Sequence, residues 1–235
     1  MANDAIVVTG ASGGLGGELV KRFVADGLVV AAGRGLKQAE LDAKYGAGKV
    51  RAAALDVSSR TEWASALERL AGDGVTVAGA VLAAGTWRGG SRLHEQDDSV
   101  WRALFDANLE TARATLQAIL PGLVARGGGS IVLVGSSAAV RPWDNAKAAA
   151  YAASKAALVA LAQAVAAEVL ADGVRVNVVL PSTIDTAANR TSMPKADTSR
   201  WVTPSSLAEV IAFLLSDKGR DISGAALPVY GRVGV

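Results

Sequence analysis

Seven short apolar runs, separated by segments of helical character, constrain this 235-residue chain more than any other feature. They occupy residues 5–9, 29–33, 50–55, 77–83, 130–134, 175–180 and 225–229. The runs are nearly continuous rather than alternating, which is the pattern of strands covered on both faces. Helices are predicted between them over 14–26, 36–45, 60–71, 98–126, 148–170 and 205–216. Ser58 or Ser59 can cap the third, Gly127-Gly128-Gly129 ends the fourth, and Asp172-Gly173 ends the fifth. Such alternation builds βαβ crossovers, so the fold class is α/β, with one doubly wound parallel sheet of about seven strands and helices on both faces. With no internal repeat and no dividing linker, residues 1–235 read as a single domain. The polar, Pro-containing stretch 182–203 reads as a long excursion from it, the kind of loop that serves as a lid.

Composition narrows the function classes. Apolar residues make up 51% and charged residues 20% of the chain, a globular balance. The 24 basic and 22 acidic side chains are interleaved, so the net charge of +2 gives no face for nucleic acid. Without Cys there is neither a disulfide framework nor a thiolate nucleophile, and a single histidine, His94, rules out a His-cluster metal site. The N-terminus lacks a basic, apolar leader, and the longest apolar stretches, such as 156–162 and 174–180, fall short of the roughly 20 residues a membrane span needs. A cytoplasmic protein with no membrane partner is expected.

Two motifs carry chemistry. The first, Thr9-Gly10-Ala11-Ser12-Gly13-Gly14-Leu15-Gly16, follows the first strand and opens the first helix. Gly10 permits a tight turn, Gly14 lets the backbone approach a pyrophosphate, and Gly16 lets the helix pack close to the sheet. The helix N-terminus adds unpaired N–H groups and the positive end of a dipole. The second motif is Tyr151-Ala152-Ala153-Ser154-Lys155. Tyr151 and Lys155 are four apart on a helix and project from one face. An ammonium beside a phenol favours the phenolate, so Tyr151 is expected to titrate below its usual value of ~10 and to act as acid or base near neutrality. Val134-Gly135-Ser136-Ser137 ends a strand, where a hydroxyl can reach a substrate oxygen beside the tyrosine.

The spacing of the glycine motif differs from the Rossmann fingerprint and resembles the Thr-Gly-x-x-x-Gly-x-Gly motif of the short-chain dehydrogenase/reductase family. The resemblance extends over nearly the whole chain and implies a Rossmann-like NAD(P)-binding domain. Ser136, Tyr151, Lys155 and Asn108 match the family's catalytic tetrad, in which Tyr donates the proton, Lys binds the nicotinamide ribose, Ser orients the substrate and Asn holds a water relay. Ser136 aligns without gaps; Ser137 is the alternative, because the loop to Tyr151 is about two residues longer than the family's. The resemblance gives cofactor contacts to Gly10, Ser12, Gly14, Leu15, Gly16, Asp56, Val57, Ala84, Gly85, Tyr151 and Lys155. It also gives them to Pro181, Thr183 and Ile184, which stand where the family has Pro-Gly-x-x-x-Thr. At the end of the second strand an NAD-preferring site usually carries an acid, and this chain has Arg34 instead, with Lys37 nearby. NADP(H) is therefore expected over NAD(H).

The family's Asn-Asn-Ala-Gly is Leu82-Ala83-Ala84-Gly85 here, so its sheet-bracing amides are missing. Thr86-Trp87-Arg88-Gly89-Gly90, the stretch 185–194 and Ser199-Arg200-Trp201 resemble the dihydropteridine reductase branch instead. Trp87, Trp143, Met193 and Trp201 fall on loops near the expected site, where they form an aromatic or apolar substrate wall or pack the lid onto the body. Trp63 and Trp101 lie on helices and read as packing residues. The helix over 148–170 is alanine-rich, and in the resembled family it forms the core of a homodimer or homotetramer. The leading reading is a reversible NADP(H)-dependent reductase of small ketones or aldehydes. The rivals are a reductase of a pterin or quinonoid ring and a non-catalytic nucleotide-binding protein.

Overall fold

The computed structural model describes residues 3–233. Its seven strands are β1 (Asn3–Thr9), β2 (Leu28–Gly33), β3 (Val50–Ala54), β4 (Val75–Leu82), β5 (Gly129–Val134), β6 (Val174–Pro181) and β7 (Ala226–Val229). All seven predicted runs are strands, with ends shifted by no more than two residues. They form one parallel sheet in the order β3-β2-β1-β4-β5-β6-β7. Strand order reverses between β1 and β4, and the carboxyl ends there are where an open α/β sheet takes its ligands.

The helices are α1 (Gly14–Phe23), α2 (Gln38–Tyr45), α3 (Arg60–Gly72), α4 (Asp98–Phe105), α5 (Thr111–Ala125), α6 (Ala149–Glu168), α7 (Ala187–Ser192) and α8 (Pro204–Leu215). Period-2 strand geometry splits consecutive apolar residues between two cores. Val7, Val30, Ile131 and Leu133 pack with Trp63, Leu116, Leu123 and Leu158 from α3, α5 and α6. Val8, Val29, Val132 and Val179 pack with Leu19, Phe23, Leu207 and Ile211 from α1 and α8. Continuous apolar strands are thus consumed on both sides, each fully buried aliphatic side chain contributing about 1.5–3 kcal/mol. Trp63 is fully buried, and its indole N–H donates to the Val57 carbonyl at 3.0 Å, which fixes the end of β3 over α3.

Three local outcomes differ from the sequence expectation. The helix predicted over 98–126 is interrupted by a π-helical turn, Asp106–Glu110, between α4 and α5. It then ends as expected, with Gly127 at φ 76 and Gly127 and Gly128 N–H groups donating to Val124 and Leu123 carbonyls. The excursion over 182–203 is not irregular throughout. It holds α7, a 3₁₀ turn at Thr198–Arg200 and a parallel bridge between Ile184 and Val202. Finally, α6 with its 20 residues is long and apolar enough to cross a membrane by length and composition, contrary to the reading of its separate apolar runs. Leu158, Ala162 and Val165 nevertheless sit in the core beside β6, so the helix belongs to the body of the fold.

Candidate active site

The phosphate turn is built by close approach. Gly10 has φ 67, and a Cβ there would lie 3.0 Å from the Cα and N atoms of Ala84, so β1 and the end of β4 meet at van der Waals distance. At Gly16 an added Cβ would fall 2.0 Å from the Gly10 carbonyl oxygen, so the first turn of α1 closes tightly on the loop before it. No side chain caps α1 and no acid lies in its first turn. Its N–H groups, next to exposed Ser12 and Gly13, are therefore available to an anion. The space beside Gly14 faces Thr186 of the 182–203 segment, whose Cγ2 lies 3.0 Å from where a Cβ would stand. Leu15 turns inward and packs with the core.

At the end of β2, Arg34 is exposed and makes no ion pair among the described residues, whereas Lys37 is held by Glu40 at 2.8 Å. The Asp56 carboxylate accepts from the Ser58 hydroxyl at 2.6 Å and from the Ser58 N–H at 2.9 Å. Those bonds hold its titration below the usual carboxylate range, with a smaller contribution from the charge of Arg34. Ser59, not Ser58, caps α3, accepting from the Glu62 N–H at 3.2 Å. Val57 is buried beside Trp63.

Ser136, Tyr151, Lys155 and Asn108 converge at the carboxyl ends of β4 and β5. Ser136 leaves β5 in extended conformation and caps a 3₁₀ turn, its hydroxyl accepting from the Ala138 N–H at 3.2 Å. That hydroxyl stands beside the Tyr151 phenol, near enough to favour its phenolate form. Ser137, by contrast, contributes its carbonyl to the N–H groups of Val140 and Arg141. Tyr151 and Lys155 share one face of α6. Lys155 is buried and donates to the Val134 carbonyl at 2.9 Å, and burial pulls its ammonium down to about 8. The Tyr151 phenol is pushed up by burial, and the neighbouring Ser136 hydroxyl opposes that shift only in part. The expected depression by Lys155 does not operate in this arrangement, because desolvation outweighs it and the lysine is turned to a backbone carbonyl. Asn108 is 1% exposed, in the π turn.

Residues 4–197 match the family described as short chain dehydrogenase. The chain belongs to the short-chain dehydrogenase/reductase family. Members are oxidoreductases acting on CH–OH and C=O groups. The chain is 29% identical to 2-(S)-hydroxypropyl-CoM dehydrogenase 3 of Xanthobacter autotrophicus over 98% of its length and 96% of the relative's. A 3-ketoacyl-(acyl-carrier-protein) reductase from Brucella melitensis, solved with NADH, matches with TM-score 0.85 and 27% identity over 97% of this chain and 98% of that one. L-Sorbose reductase from Gluconobacter frateurii, solved with NADPH and L-sorbose, matches with TM-score 0.85 and 25% identity over 100% and 98%.

A short-chain dehydrogenase/reductase binds a nicotinamide cofactor, and the residues here fit one. The uncapped N-terminus of α1 suits a pyrophosphate. Gly85 lines the approach to Lys155, since a Cβ there would stand 3.4 Å from Nζ. The family's missing sheet-bracing amides are replaced by Thr9, a residue that sequence reasoning read only as part of the glycine motif. Its buried hydroxyl accepts from both the Ala83 and Ala84 N–H groups at 3.1 Å. A hydroxyl at a strand end beside the switch point was the available signal. Pro181 ends β6, and the Thr183 carbonyl and Asp185 N–H pair with Val202.

The aromatic residues divide. Trp201 is buried where the 182–203 segment meets the C-terminal segment, and a Cβ at Gly231 there would fall 2.8 Å from the Arg200 carbonyl oxygen. Trp87 and Trp143 are 59% and 71% exposed, and Met193 is 38% exposed, so these three remain accessible on the rim. Trp101, expected to pack, is instead 40% exposed and stacks on Phe105 with ring centroids 4.8 Å apart. An apolar cavity of about 440 Å³ lies between Ala138, Pro142 and the α6 residues Ala149, Ala153 and Ala156, apart from the catalytic cluster.

Proposed function

We propose that this enzyme reduces a small ketone or aldehyde to the alcohol with NADPH, reversibly, with Tyr151 as the proton donor. The observation that carries this reading is the Ser136 hydroxyl set beside the Tyr151 phenol at the end of β5, with buried Lys155 one helical turn away. When bound, the nicotinamide supplies the hydride. Ser136 and Tyr151 are the pair that would hold the carbonyl oxygen, and Tyr151 transfers its phenolic proton to that oxygen as the carbon is reduced. A phenol held up by burial is protonated at neutral pH and so is ready to act as the acid. Lys155, turned here to the Val134 carbonyl, would hold the nicotinamide ribose, the role that the family resemblance implies. Asn108 keeps the role that the family resemblance implies, a water relay that restores the proton.

The preference for NADPH rests on Arg34, an exposed cation at the end of β2 that makes no ion pair among the described residues, where an acid would favour NADH. The segment 182–203 acts as the lid, with Thr186 set against the phosphate turn. A cytoplasmic homodimer or homotetramer goes with this reading, supported by the alanine face of α6 and its apolar cavity. Tyr151→Phe tests the mechanism. Turnover should fall by roughly 10²–10⁴-fold while NADPH binding, read by fluorescence titration, is retained. Turnover that survives the substitution would remove Tyr151 from the proton transfer.

A further inference from the structure

Ser154 stands between the two catalytic residues of α6 and is fully buried. A serine hydroxyl has one proton to donate. Here Ser154 Oγ donates it to the Tyr151 carbonyl at 2.8 Å and accepts from Asn108 Nδ2 at 3.0 Å. With the proton committed, the hydroxyl can only accept from Asn108, so the carboxamide must turn its NH₂ toward α6. Its Oδ1 then points to the loop after β4, where it receives the Thr86 N–H at 2.8 Å. Thr86 can only donate there, so both ends of the carboxamide require the same orientation. Gly85 lies so close beneath that a Cβ would come 2.7 Å from Asn108 Oδ1.

One buried hydroxyl therefore ties the catalytic helix, the π turn and the loop after β4 together. That loop carries Trp87, whose indole folds over Gly89, where a Cβ would meet Cζ2 at 2.8 Å. The loop's far end is pinned separately, by the Gly90 N–H on the Lys147 carbonyl at 2.9 Å. Loss of the Ser154 hydroxyl releases the first tie and leaves the second.

We propose that Ser154 is a positioning residue that sets the substrate-side loop 85–90 against Tyr151 by fixing the orientation of the Asn108 carboxamide. The proposal rests on the reading of the site as a carbonyl reductase. Its predicted consequence falls on substrate binding more than on proton transfer, because the side chains of Ser136 and Lys155 keep their own partners, Ser154 meets Tyr151 only at its backbone carbonyl, and the Asn108 carboxamide bonds the loop and Ser154.

The test compares Ser154→Ala with Ser154→Thr, which keeps the hydroxyl, by steady-state kinetics and by amide hydrogen exchange of the cofactor-free protein. Ser154→Ala should raise KM for the carbonyl substrate by roughly tenfold, the scale of one buried hydrogen-bond partner lost, and change kcat and NADPH affinity much less. Exchange at the Thr86 amide should quicken by a similar factor, and Ser154→Thr should restore both. An unchanged KM and Thr86 exchange in Ser154→Ala would overturn the proposal, as would a lowered melting temperature with neither effect. If Ser154→Thr does not fold, exchange at Thr86 in Ser154→Ala still decides the matter. If the parent enzyme turns over no carbonyl compound, the functional reading fails, while Thr86 exchange continues to test the tie itself.

Discussion

At the scale of single residues, burial moves the titration of Lys155 and Tyr151 so that each favours its uncharged form. Burial lowers the ammonium to about 8 and raises the phenol. Tyr151, Lys155 and Ser136 were legible because each combines a reactive side chain with a fixed spacing and a place at a strand end. The direction of the tyrosine shift was not legible, because it depends on how completely the surrounding helices exclude water. In the proposed reading Arg34 carries the cofactor preference. Arg34→Asp should weaken NADPH by at least about tenfold relative to NADH, since a repulsive charge replaces an attractive one at the 2′-phosphate. Equal loss for both cofactors, measured by titration, would remove Arg34 from that role. Among the described residues, Lys147 is the non-glycine residue with positive φ, at 66, where its carbonyl accepts from the Gly90 N–H. Lys147→Gly should raise stability by about 0.5–1 kcal/mol in urea unfolding, the left-handed strain relieved less the entropy of glycine. Destabilisation by the same substitution would show that the lysine side chain contributes packing there.

Among the elements, the strands were the most legible, because parallel strands buried on both faces leave continuous apolar runs with little else to be. The π turn at Asp106–Glu110 was hidden, since the helical apolar period continues across it from Leu104 to Leu116. Only the third-party partners of Asn108, on Thr86 and Ser154, explain it, and these lie 22 and 46 residues away. The 182–203 segment was legible as an excursion but not as structure, because α7 is six residues long and is capped by Thr186 and by tertiary bonds rather than by an apolar period. The turn between β1 and α1 has a sharper requirement. Gly16→Ala places a methyl 2.0 Å from the Gly10 carbonyl, so the loop must open. It should cost roughly 1–3 kcal/mol and weaken cofactor binding more than stability alone explains. A fully stable variant with parental affinity would show that the turn is looser than its geometry.

For the whole molecule, the sheet places its reversal point, its glycine turn and the start of α6 at one edge, and the charge buried there leaves a thermodynamic trace. A lysine whose folded value lies below its unfolded value of about 10.5 binds fewer protons when folded, so stability rises with pH between the two. Between about pH 7.5 and about pH 9.5 the cofactor-free enzyme should gain roughly 2 kcal/mol relative to Lys155→Met, as read by urea unfolding. A parallel pH dependence in the two proteins would contradict the burial of the charged lysine. The most direct measurement is oxidation of NADPH and NADH by the pure protein against activated ketones, aldehydes, quinones, β-keto esters and quinonoid dihydropterin. NADPH-linked reduction of a ketone or aldehyde is the expected result. Turnover of the dihydropterin alone, with NADH, would contradict it and mean that the loops after β4 and β6 define the enzyme instead of the serine–tyrosine–lysine cluster.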